Sequence, residues 1–379
     1  MNRTILAAAL SAWLFLFLFA GALAEDIHIA ARAAVLIDGE TGRALFAQNA
    51  DTRYPMASTT KIMTALLALE RCGLDEIVTA SKNASGVPGT SIYLGEGEQL
   101  TMREMLLGLM LRSGNDAAVA IAEHVSGSVE AFADLMNARA AALGADARFV
   151  TPNGLDAPGH GASARAMALI AREALKDETF REIVSTQRAV IPWRDREYSR
   201  VLVNKNRLLK EYEGATGVKT GFTTPAGRCL VFSARRDGLE LVGVVMNCGD
   251  WFGEAKRLLD WGFSRYTRAE ALPAGRESGR VPVAGGVKDE VAVAPRDSLA
   301  AALCAEDDWR VAVDLAREVK APVAKGEKLG AARLVAGGET IAETDLLACE
   351  DVARLGLLEA LRRAASRWPA PSSFGNYWK

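Results

Sequence analysis

The segment at residues 58–70, with the sequence STTKIMTALLALE, restricts the fold of this chain more than any other feature. Its residues favour a helix, and apolar side chains cover most of the helix surface. Such a helix is expected deep in the core, because a solvent-facing side would expose apolar surface to water. Hydrophobic residues make up 50% of the chain and charged residues 24%, so a core of sufficient size is available. At about 150 residues per domain, 379 residues predict two or three domains.

The segments around this helix predict a sheet combined with a cluster of helices. Residues 33–38 and 43–48 have the pattern of two strands joined by a turn. Residues 101–104 form a capping box, and apolar residues then recur at helical spacing up to about residue 112. Further elements are predicted as a helix ending near residue 125, helices at 129–143 and 252–266, and two strands that meet near Asp237-Gly238. The predicted fold class is therefore α+β.

A change of composition at residues 271–286 indicates a domain junction, because alanine, glycine, proline and charged residues dominate there. Beyond it, short apolar runs such as VPVA, VAVA and ARLV are separated by glycine-containing turns, which is typical of strands. We therefore predict one domain over residues 25–270 and a small β-rich domain over residues 271–350.

The first 24 residues have the organisation of a secretory signal peptide. They contain one basic residue, Arg3, and no acidic residue, and residues 5–20 are almost wholly apolar. The run ends in Ala-Leu-Ala, which is the small-x-small pattern of a cleavage site. A buried helix or an uncleaved anchor is the alternative, but the run is short for a membrane span of about 20 residues. We expect export of the protein and cleavage after Ala24.

Charge and ligand spacing argue against nucleic acid and metal as partners. The formal net charge is −2, whereas nucleic-acid binding normally requires a basic face. The three histidines, His28, His124 and His160, lie far apart in the sequence. No pair of cysteines or histidines has zinc-ligand spacing, so we expect no metal site.

The five cysteines are an odd number in a long chain and do not indicate a disulfide framework. Cys229 and Cys248 flank the predicted hairpin and could face each other across it. Export would permit a disulfide between them, whereas buried free thiols are the simpler alternative. The sequence leaves both possibilities open.

Reactive side chains occur in three short segments, Ser58-Thr59-Thr60-Lys61, Ser113-Gly114-Asn115 and Lys219-Thr220-Gly221. Ser58 and Lys61 are three residues apart, so they share one face of a helix. A serine hydroxyl is a poor nucleophile until a neighbour takes its proton, and Lys61 is the neighbour that can do so. Burial, and a second positive charge from Lys219, would lower the pKa of Lys61 and make it a base. A solvated surface lysine is the alternative for the first segment taken alone.

The three segments, in this order, resemble the S-x-x-K, S-x-N and K-T-G motifs of penicillin-binding proteins and serine β-lactamases. The sequences YPMASTTKIMTALLALE, LTMREMLLGLMLRSGNDAAVAIAEH, TPNGLDAPGH and GVKTGFTTPAGRCLV look like those of low-molecular-mass D-alanyl-D-alanine carboxypeptidases. The resemblance covers roughly residues 30–268 and continues weakly through APVAKGEKLG. It implies a β-lactamase/transpeptidase-like catalytic domain, with an antiparallel sheet and a helical cluster, and a β-rich C-terminal domain.

The resemblance also implies roles for individual residues. Ser58 would be the nucleophile, and Lys61 and Ser113 would carry out the proton transfers. Substrate binding would fall to Asn115, Lys219, Thr220 and Gly221. An edge strand can pair with an extended peptide, so that the lysine and threonine hold the terminal carboxylate and the glycine permits close backbone approach. The oxyanion hole would consist of the backbone N–H groups of Ser58 and Phe222.

Enzymes of this family remove the terminal D-alanine from peptidoglycan stem pentapeptides ending in D-Ala-D-Ala, and β-lactam antibiotics acylate the same serine. No metal or organic cofactor is implied. The nearest alternative is a class A β-lactamase, but those enzymes usually have Ser-Asp-Asn at the second motif, where this chain has Gly114. They also use an extra glutamate and lack an appended β domain. A penicillin-binding module without turnover is a third possibility, which the full set of catalytic groups disfavours.

Three positions near the motifs differ from the family pattern or invite another interpretation. His160 follows an Asn-Gly-Leu segment, where the family histidine is usually structural, although a general base is the alternative. Many relatives continue with Ser-Thr-Ala-x-Asp, whereas residues 162–166 are ASARA. Residues 205–209 are KNRLL, so either Lys205 or Arg207 could assist carboxylate binding.

The C-terminal residues 351–379 have an amphipathic pattern. Leucine, alanine and tryptophan recur at helical spacing between residues 357 and 368, and charged residues fall on the other side. Prolines at 369 and 371 end the helix, and aromatic residues follow. A basic amphipathic helix with aromatic residues suits an anionic membrane surface, whereas docking on the β-rich domain would bury the same stripe. We expect attachment through this tail, with the exported protein at the outer face of the cytoplasmic membrane or in the periplasm.

Overall fold

The computed structural model describes residues 27–194 and 196–366, and the predicted signal peptide lies outside them. The strands of the first domain are β1 Ala31–Asp38, β2 Ala44–Gln48, β3 Ile77–Thr79, β4 Gln99–Thr101, β5 Ala147–Arg148, β6 Gly161–Ala162, β7 Arg188–Ile191, β8 Arg200–Val203, β9 Ala215–Thr223, β10 Gly227–Arg236 and β11 Leu239–Cys248. Its α-helices are α1 Lys61–Arg71, α2 Lys82–Ser85, α3 Met102–Leu107, α4 Asn115–Ser126, α5 Val129–Ala142, α6 Ala164–Ala174, α7 Glu178–Ser185, α8 Leu208–Glu211 and α9 Trp251–Arg265. A 3-10 turn at Ala57–Thr60 precedes α1, and a π-helical turn at Gly108–Arg112 follows α3.

A five-stranded antiparallel sheet forms the centre of the first domain, with the strand order β2-β1-β11-β10-β9. Alternate residues of β1 enter two different cores. Val35 and Ile37 face the core built with the helical cluster, whereas Ala34 and Leu36 face the core that includes α9. Burial on both faces explains why β1 is apolar at consecutive positions. β9 is left at one edge of the sheet.

Helix α1 lies inside the helical cluster, as the sequence predicts. Every residue from Lys61 to Ala68 is buried, and α4, α5, α6 and α7 pack around the helix. The predicted capping box is confirmed at the start of α3, where the Thr101 hydroxyl accepts from the Glu104 N–H and the Glu104 carboxylate accepts from the Thr101 N–H. Because α1 has no solvent-facing side over its first two turns, its lysine is held inside the protein.

The second domain is β-rich, as predicted. Its strands are β12 Thr267–Leu272, β13 Gly279–Ala284, β14 Glu290–Pro295, β15 Leu299–Leu303, β16 Trp309–Leu315, β17 Val319–Lys320, β18 Lys328–Ala336 and β19 Glu339–Ala348. Six of them form a sheet in the order β16-β18-β19-β14-β13-β17, and β12 pairs with β15. This pairing places Thr267 with the second domain, slightly ahead of the predicted start at residue 271.

Contacts between the domains involve the end of β1 and the segment around β15. The Ala302 N–H donates to the Asp38 carboxylate at 3.0 Å, and the Arg43 guanidinium forms an ion pair with Asp307. Ala302 also joins the core that includes α9. The second domain is therefore attached on the side of the sheet away from the helical cluster.

The five cysteines all lie in the described part of the chain and are free thiols. Leu230 pairs with Val245 across the hairpin of β10 and β11. Extending this register by one residue places Cys229 opposite Met246, whereas Cys248 lies two residues further along β11. The disulfide alternative is wrong because this register separates the two thiols.

The tail helix begins later than predicted. Val352 is buried and forms a bridge with Val323, so the residues just after 350 still belong to the second domain. The final helix is α10, Leu357–Ser366. Leu357 and Leu358 are 79% and 80% exposed, so this stripe is not docked on the domain in the described residues. Residues 367–379 of the predicted tail lie outside the described residues.

Candidate active site

Ser58 and Lys61 lie where the 3-10 turn enters α1. Ser58 belongs to the turn, and Lys61 is the first residue of the helix. Lys61 Nζ lies 3.0 Å from Ser58 Oγ, which is within hydrogen-bond distance. The two groups expected to react together are therefore in direct contact.

The surroundings of Lys61 favour an uncharged amine. The side chain is fully buried, and its Nζ donates to Asn115 Oδ1 at 2.8 Å and to the backbone carbonyl of Asn153. Burial lowers the pKa of Lys61 well below its ordinary value, and the positive charges of Lys219 and Lys205 lower it further. Lys61 can therefore lose its proton and accept one from a neighbour.

The hydrogen-bond partners of Lys61 also orient its lone pair. Asn115 Nδ2 donates to the Pro88 carbonyl at 2.7 Å, which fixes the amide so that Oδ1 faces Lys61. Asn115 Oδ1 and the Asn153 carbonyl can only accept hydrogen bonds, so they take both protons of a neutral amine. The lone pair is then directed to the third neighbour, the Ser58 hydroxyl. Its own contacts therefore orient Lys61 toward Ser58.

Ser113 lies between the π-helical turn and α4. Its φ of 65° is in the left-handed region, which residues with a side chain seldom adopt. Its Oγ is buried and has no hydrogen-bond partner among the described residues. Leaving a buried hydroxyl without a partner costs free energy. Strain and an unsatisfied hydroxyl at one residue are typical of a group that finds its partner when a ligand binds.

Lys219, Thr220 and Gly221 lie on the edge strand β9. Lys219 is buried, and its Nζ donates to the Thr220 carbonyl at 2.9 Å. Burial, and then the positive charge of Lys205, lower the pKa of Lys219 to about 7. Gly221 packs against the turn that carries Ser58, since a Cβ atom at position 221 would lie 2.9 Å from the Ser58 nitrogen. A glycine is needed for the strand to approach the turn this closely.

A cleft of about 230 Å³ joins the three segments. Five residues of the sequence prediction line it, Ser58, Ser113, Thr220, Gly221 and Phe222. The other three, Lys61, Asn115 and Lys219, are buried beside it. Thr90 and Trp251 also line the cleft, but they belong to none of the motifs and could not be predicted from them. Within the described residues, no group of three histidine, cysteine or carboxylate ligands lies at the cleft.

The structure distinguishes the two basic residues that the sequence left open. Lys205 lines the cleft, and its pKa is lowered by partial burial and by the positive charge of Arg112. Arg207 lies on the surface, where its guanidinium pairs with Glu211 and stacks over the ring of Phe252. Of these two residues, only Lys205 lines the cleft.

The Asn153-Gly154 dipeptide is also part of the site, although the sequence predicts no role for it. Gly154 has a φ of 84°, and a Cβ atom there would lie only 2.0 Å from the Ala57 carbonyl oxygen. The glycine lets this loop approach the turn that carries Ser58, so that the carbonyl of Asn153 reaches Lys61. An Asn-Gly pair is a recognisable turn signal, but the sequence does not show which element the turn meets.

His160 contacts the turn that carries Ser58. Its Nδ1 accepts from the Val150 N–H at 3.0 Å, so its Nε2 carries the proton and donates to the Thr60 hydroxyl at 2.9 Å. Burial lowers the pKa of His160 to about 4, which keeps the ring neutral. The loop after it is closed by Ser163, whose hydroxyl caps α6 by accepting from the Ala166 N–H. These contacts give His160 a structural role, as expected.

Two family models match the chain. The model described as D-alanyl-D-alanine carboxypeptidase matches residues 20–249. The model described as the C-terminal domain of penicillin-binding protein 5 matches residues 266–354. Together they span both domains.

Individual proteins are similar over most of their length. The chain is 34% identical to D-alanyl-D-alanine carboxypeptidase DacF of Bacillus subtilis over 364 residues, which covers 92% of each chain. It is 32% identical to D-alanyl-D-alanine carboxypeptidase DacA of Escherichia coli K12, with 86% of this chain and 84% of that protein covered. Among solved structures, penicillin binding protein 5 from Haemophilus influenzae matches with a TM-score of 0.73 at 31% identity, covering 86% of this chain and 99% of that one.

Proposed function

This chain belongs to the D-alanyl-D-alanine carboxypeptidase family, and we propose that Ser58 is the nucleophile with which it cleaves the D-Ala-D-Ala bond of peptidoglycan stem peptides. The protein is a low-molecular-mass penicillin-binding protein and a serine-type hydrolase. One observation carries the assignment. Ser58 Oγ lies 3.0 Å from the amine of a fully buried lysine, whose two other partners leave its lone pair for that hydroxyl.

Acylation starts when Ser58 Oγ attacks the carbonyl carbon of the penultimate D-alanine and its proton passes to Lys61 Nζ. The negative charge that develops on the carbonyl oxygen is stabilised by the backbone N–H groups of Ser58 and Phe222. Collapse of this intermediate breaks the C–N bond. The leaving amine receives the proton of Lys61 through the Ser113 hydroxyl, which has no hydrogen-bond partner of its own among the described residues. Terminal D-alanine departs.

Deacylation reverses the same proton route. A water molecule attacks the ester carbonyl, and Lys61, neutral again, takes its proton. The ester bond breaks, and the proton returns to Ser58 Oγ. β-Lactams acylate the same family of enzymes because their strained amide resembles D-Ala-D-Ala, and here they would block Ser58.

Recognition of the substrate depends on the edge of the sheet. The stem peptide pairs with β9 as an added strand, since β9 is an edge strand of the central sheet in the described part of the chain. Its terminal carboxylate meets Thr220 and the positive charges of Lys219 and Lys205. Asn115 binds the peptide backbone while it holds Lys61. No metal or organic cofactor takes part in this chemistry.

The two alternatives are less favoured. A class A β-lactamase would need a glutamate to activate the deacylating water, and relatives that match over most of this chain carry the carboxypeptidase name. A binding module without turnover would not need a buried lysine in contact with a serine, because a lysine without its charge contributes nothing to holding an anionic ligand.

The decisive substitution is Ser58→Ala. It should abolish covalent labelling by a fluorescent penicillin and release of D-alanine from a diacylated tripeptide ending in D-Ala-D-Ala. The reason is that, among the described residues, Ser58 supplies the one hydroxyl that is hydrogen-bonded to Lys61 Nζ. Ser85→Ala, a serine on α2 outside the cleft, is the matched control and should keep both activities. Unchanged thermal melting would show that folding is intact, and persistent labelling of the Ser58→Ala protein would refute the assignment.

The location of the enzyme follows from its peptidoglycan substrate and its tail. Within residues 27–194 and 196–366, no helix combines the length and apolar character needed to cross a bilayer. α10 exposes Leu357, Leu358 and Leu361, the last of them by 58%, and it carries arginines on its other side. An exposed leucine stripe beside basic residues suits the interface of an anionic membrane. The exported protein would attach peripherally through this helix to the outer face of the cytoplasmic membrane.

Membrane attachment can be tested with vesicles. The mature chain should co-sediment with phosphatidylglycerol vesicles at low salt, and a chain that ends at residue 356 should stay in the supernatant with its activity intact. A cut at residue 350 is unsuitable, because it removes the buried Val352. Leu357→Ser with Leu361→Ser should weaken sedimentation, whereas Val313→Ser, an exposed residue of β16, should not. A mature chain that remains soluble beside such vesicles would rule out the anchor.

A further inference from the structure

Three potential metal ligands meet at the far ends of the two helices that carry Lys61 and Asn115. Cys72 follows the last residue of α1, and His124 lies in the last turn of α4. Glu76 lies in the turn before β3. One ligand atom from each of the three side chains lies within 4.8 Å of the others, and His124 Nε2 is 3.1 Å from Glu76 Oε2.

We propose that Cys72, Glu76 and His124 bind a zinc ion. A thiolate, an imidazole and a carboxylate are ligands that zinc accepts together, whereas magnesium and calcium prefer oxygen ligands alone. Tetrahedral zinc with metal–nitrogen and metal–oxygen bonds of about 2.0–2.1 Å separates those two ligand atoms by about 3.3 Å. His124 Nε2 and Glu76 Oε2 are hydrogen-bonded at 3.1 Å, which is close to this value, and zinc would replace the proton between them.

The carboxylate is oriented before an ion arrives. The Gly73 N–H donates to Glu76 Oε1 at 2.6 Å, which turns Oε2 toward His124. The Met102 N–H donates to the Glu76 carbonyl at 2.8 Å, and this fixes the backbone of the turn. Hydrogen bonds of this kind hold ligands in place at metal sites. Glu76 is partly exposed, so water can fill the fourth position of the ion.

The ion would join α1 to α4 at the ends opposite the cleft. The other ends of these helices are already joined by the 2.8 Å hydrogen bond between Lys61 and Asn115. The 11 residues of α1 separate the two junctions by about 16 Å at 1.5 Å per residue, so zinc would not touch the substrate. Its contribution is to the stability of the helix pair, and it is independent of the hydrolytic mechanism.

Binding can be tested on the untagged mature protein with zinc chloride and cobalt chloride. Calorimetric titration should give one zinc ion per chain, and cobalt should produce the near-ultraviolet absorption band of a thiolate-bound ion. Zinc should protect Cys72 from alkylation by iodoacetamide, with Cys304 and Cys349 as internal controls because they are also partly exposed.

Variants assign the ligands. Cys72→Ser and His124→Gln should each weaken zinc binding by about 100-fold or more. Loss of a residue that only hydrogen-bonds to a metal ligand weakens binding by about 10–100-fold, so a larger effect indicates a direct ligand. Cys349→Ser should bind zinc as the unchanged protein does. Zinc should also raise the melting temperature of the unchanged protein but not that of the Cys72 variant. Absence of saturable binding, or equal affinity in the Cys72→Ser and Cys349→Ser proteins, would overturn the proposal.

Discussion

Replacement of Gly221 by alanine tests how closely β9 must approach the nucleophile. The added Cβ atom would lie 2.9 Å from the Ser58 nitrogen, 3.0 Å from the Thr59 nitrogen and 3.1 Å from the Met56 carbonyl oxygen. All three are backbone atoms, so no flexible side chain can move away. Relief to an ordinary contact of about 3.4 Å requires the strand and the turn to separate by about half an ångström.

This separation should affect catalysis more than folding. Overpacking of this size costs about 1–3 kcal/mol of stability, which a domain with such an extensive core should tolerate. A misplacement approaching 1 Å costs about 100-fold in rate, because the peptide is paired to β9 while the attacking oxygen is on the turn. We therefore expect the rate of acylation by penicillin to fall by about 10- to 100-fold.

Stopped-flow measurement with a fluorescent penicillin gives this rate, and thermal melting reports the stability of the same protein. The matched control is Gly249→Ala, since no atom lies within 4 Å of a Cβ at that position. The control should acylate at the original rate. If the Gly221→Ala protein acylates within about threefold of that rate, acylation does not depend on the close approach of β9 that the glycine allows.

Three further predictions concern charged groups. Lys205→Ala should raise the KM of a carboxylate-terminated peptide by about 10-fold or more, since a hydrogen bond to a charged group contributes about 1.5–3 kcal/mol, whereas Arg207→Ala, outside the cleft, should leave the KM unchanged. The kcat/KM for the same peptide should fall as the pH rises through about 7, the pKa of Lys219. The reason is that only the protonated lysine attracts the carboxylate. A kcat/KM profile that stays flat above that pH would contradict carboxylate binding by Lys219. Glu98→Gln should lower the free energy of unfolding, measured by chemical denaturation, by about 3–5 kcal/mol. The substitution leaves the buried guanidinium of Arg200 without its carboxylate partner. A change below about 1 kcal/mol would mean that the pair is no stronger than a surface ion pair.

Elements with a local signal could be predicted from the sequence. The α1 helix is apolar on nearly all its surface, and the capping box at Thr101 and Glu104 consists of groups three residues apart. β15 could not be predicted, because its sequence LAAAL has no β-branched residue. It is a strand because pairing with β12 and burial outweigh that weak preference. The start of α10 was misplaced for the same reason, since the bridge from Val352 to Val323 is a tertiary contact.

The same distinction between local and tertiary signals applies to the residues of the candidate active site. The three motifs could be recognised from the sequence because the residues within each motif are at most three positions apart. Which oxygens surround the lysine could not be found, because Asn153 reaches it only through a turn that Gly154 brings against Ala57. The choice between Lys205 and Arg207 likewise depended on where the chain turns after β8.

By itself, the sequence determined what depends on neighbours along the chain: the buried helix, the order of the three motifs, the β-rich second domain and the amphipathic stripe at its end. The tertiary structure alone decided what depends on distant segments. It separated Cys229 from Cys248 through the register of a hairpin, and it brought His124 to Glu76 across 48 residues of sequence. It also depressed the pKa of Lys61, which depends on burial and on two other lysines. The physical reason is that helix periodicity and capping act over three or four residues, whereas burial, charge and contact distance are set by every segment that folds around a group.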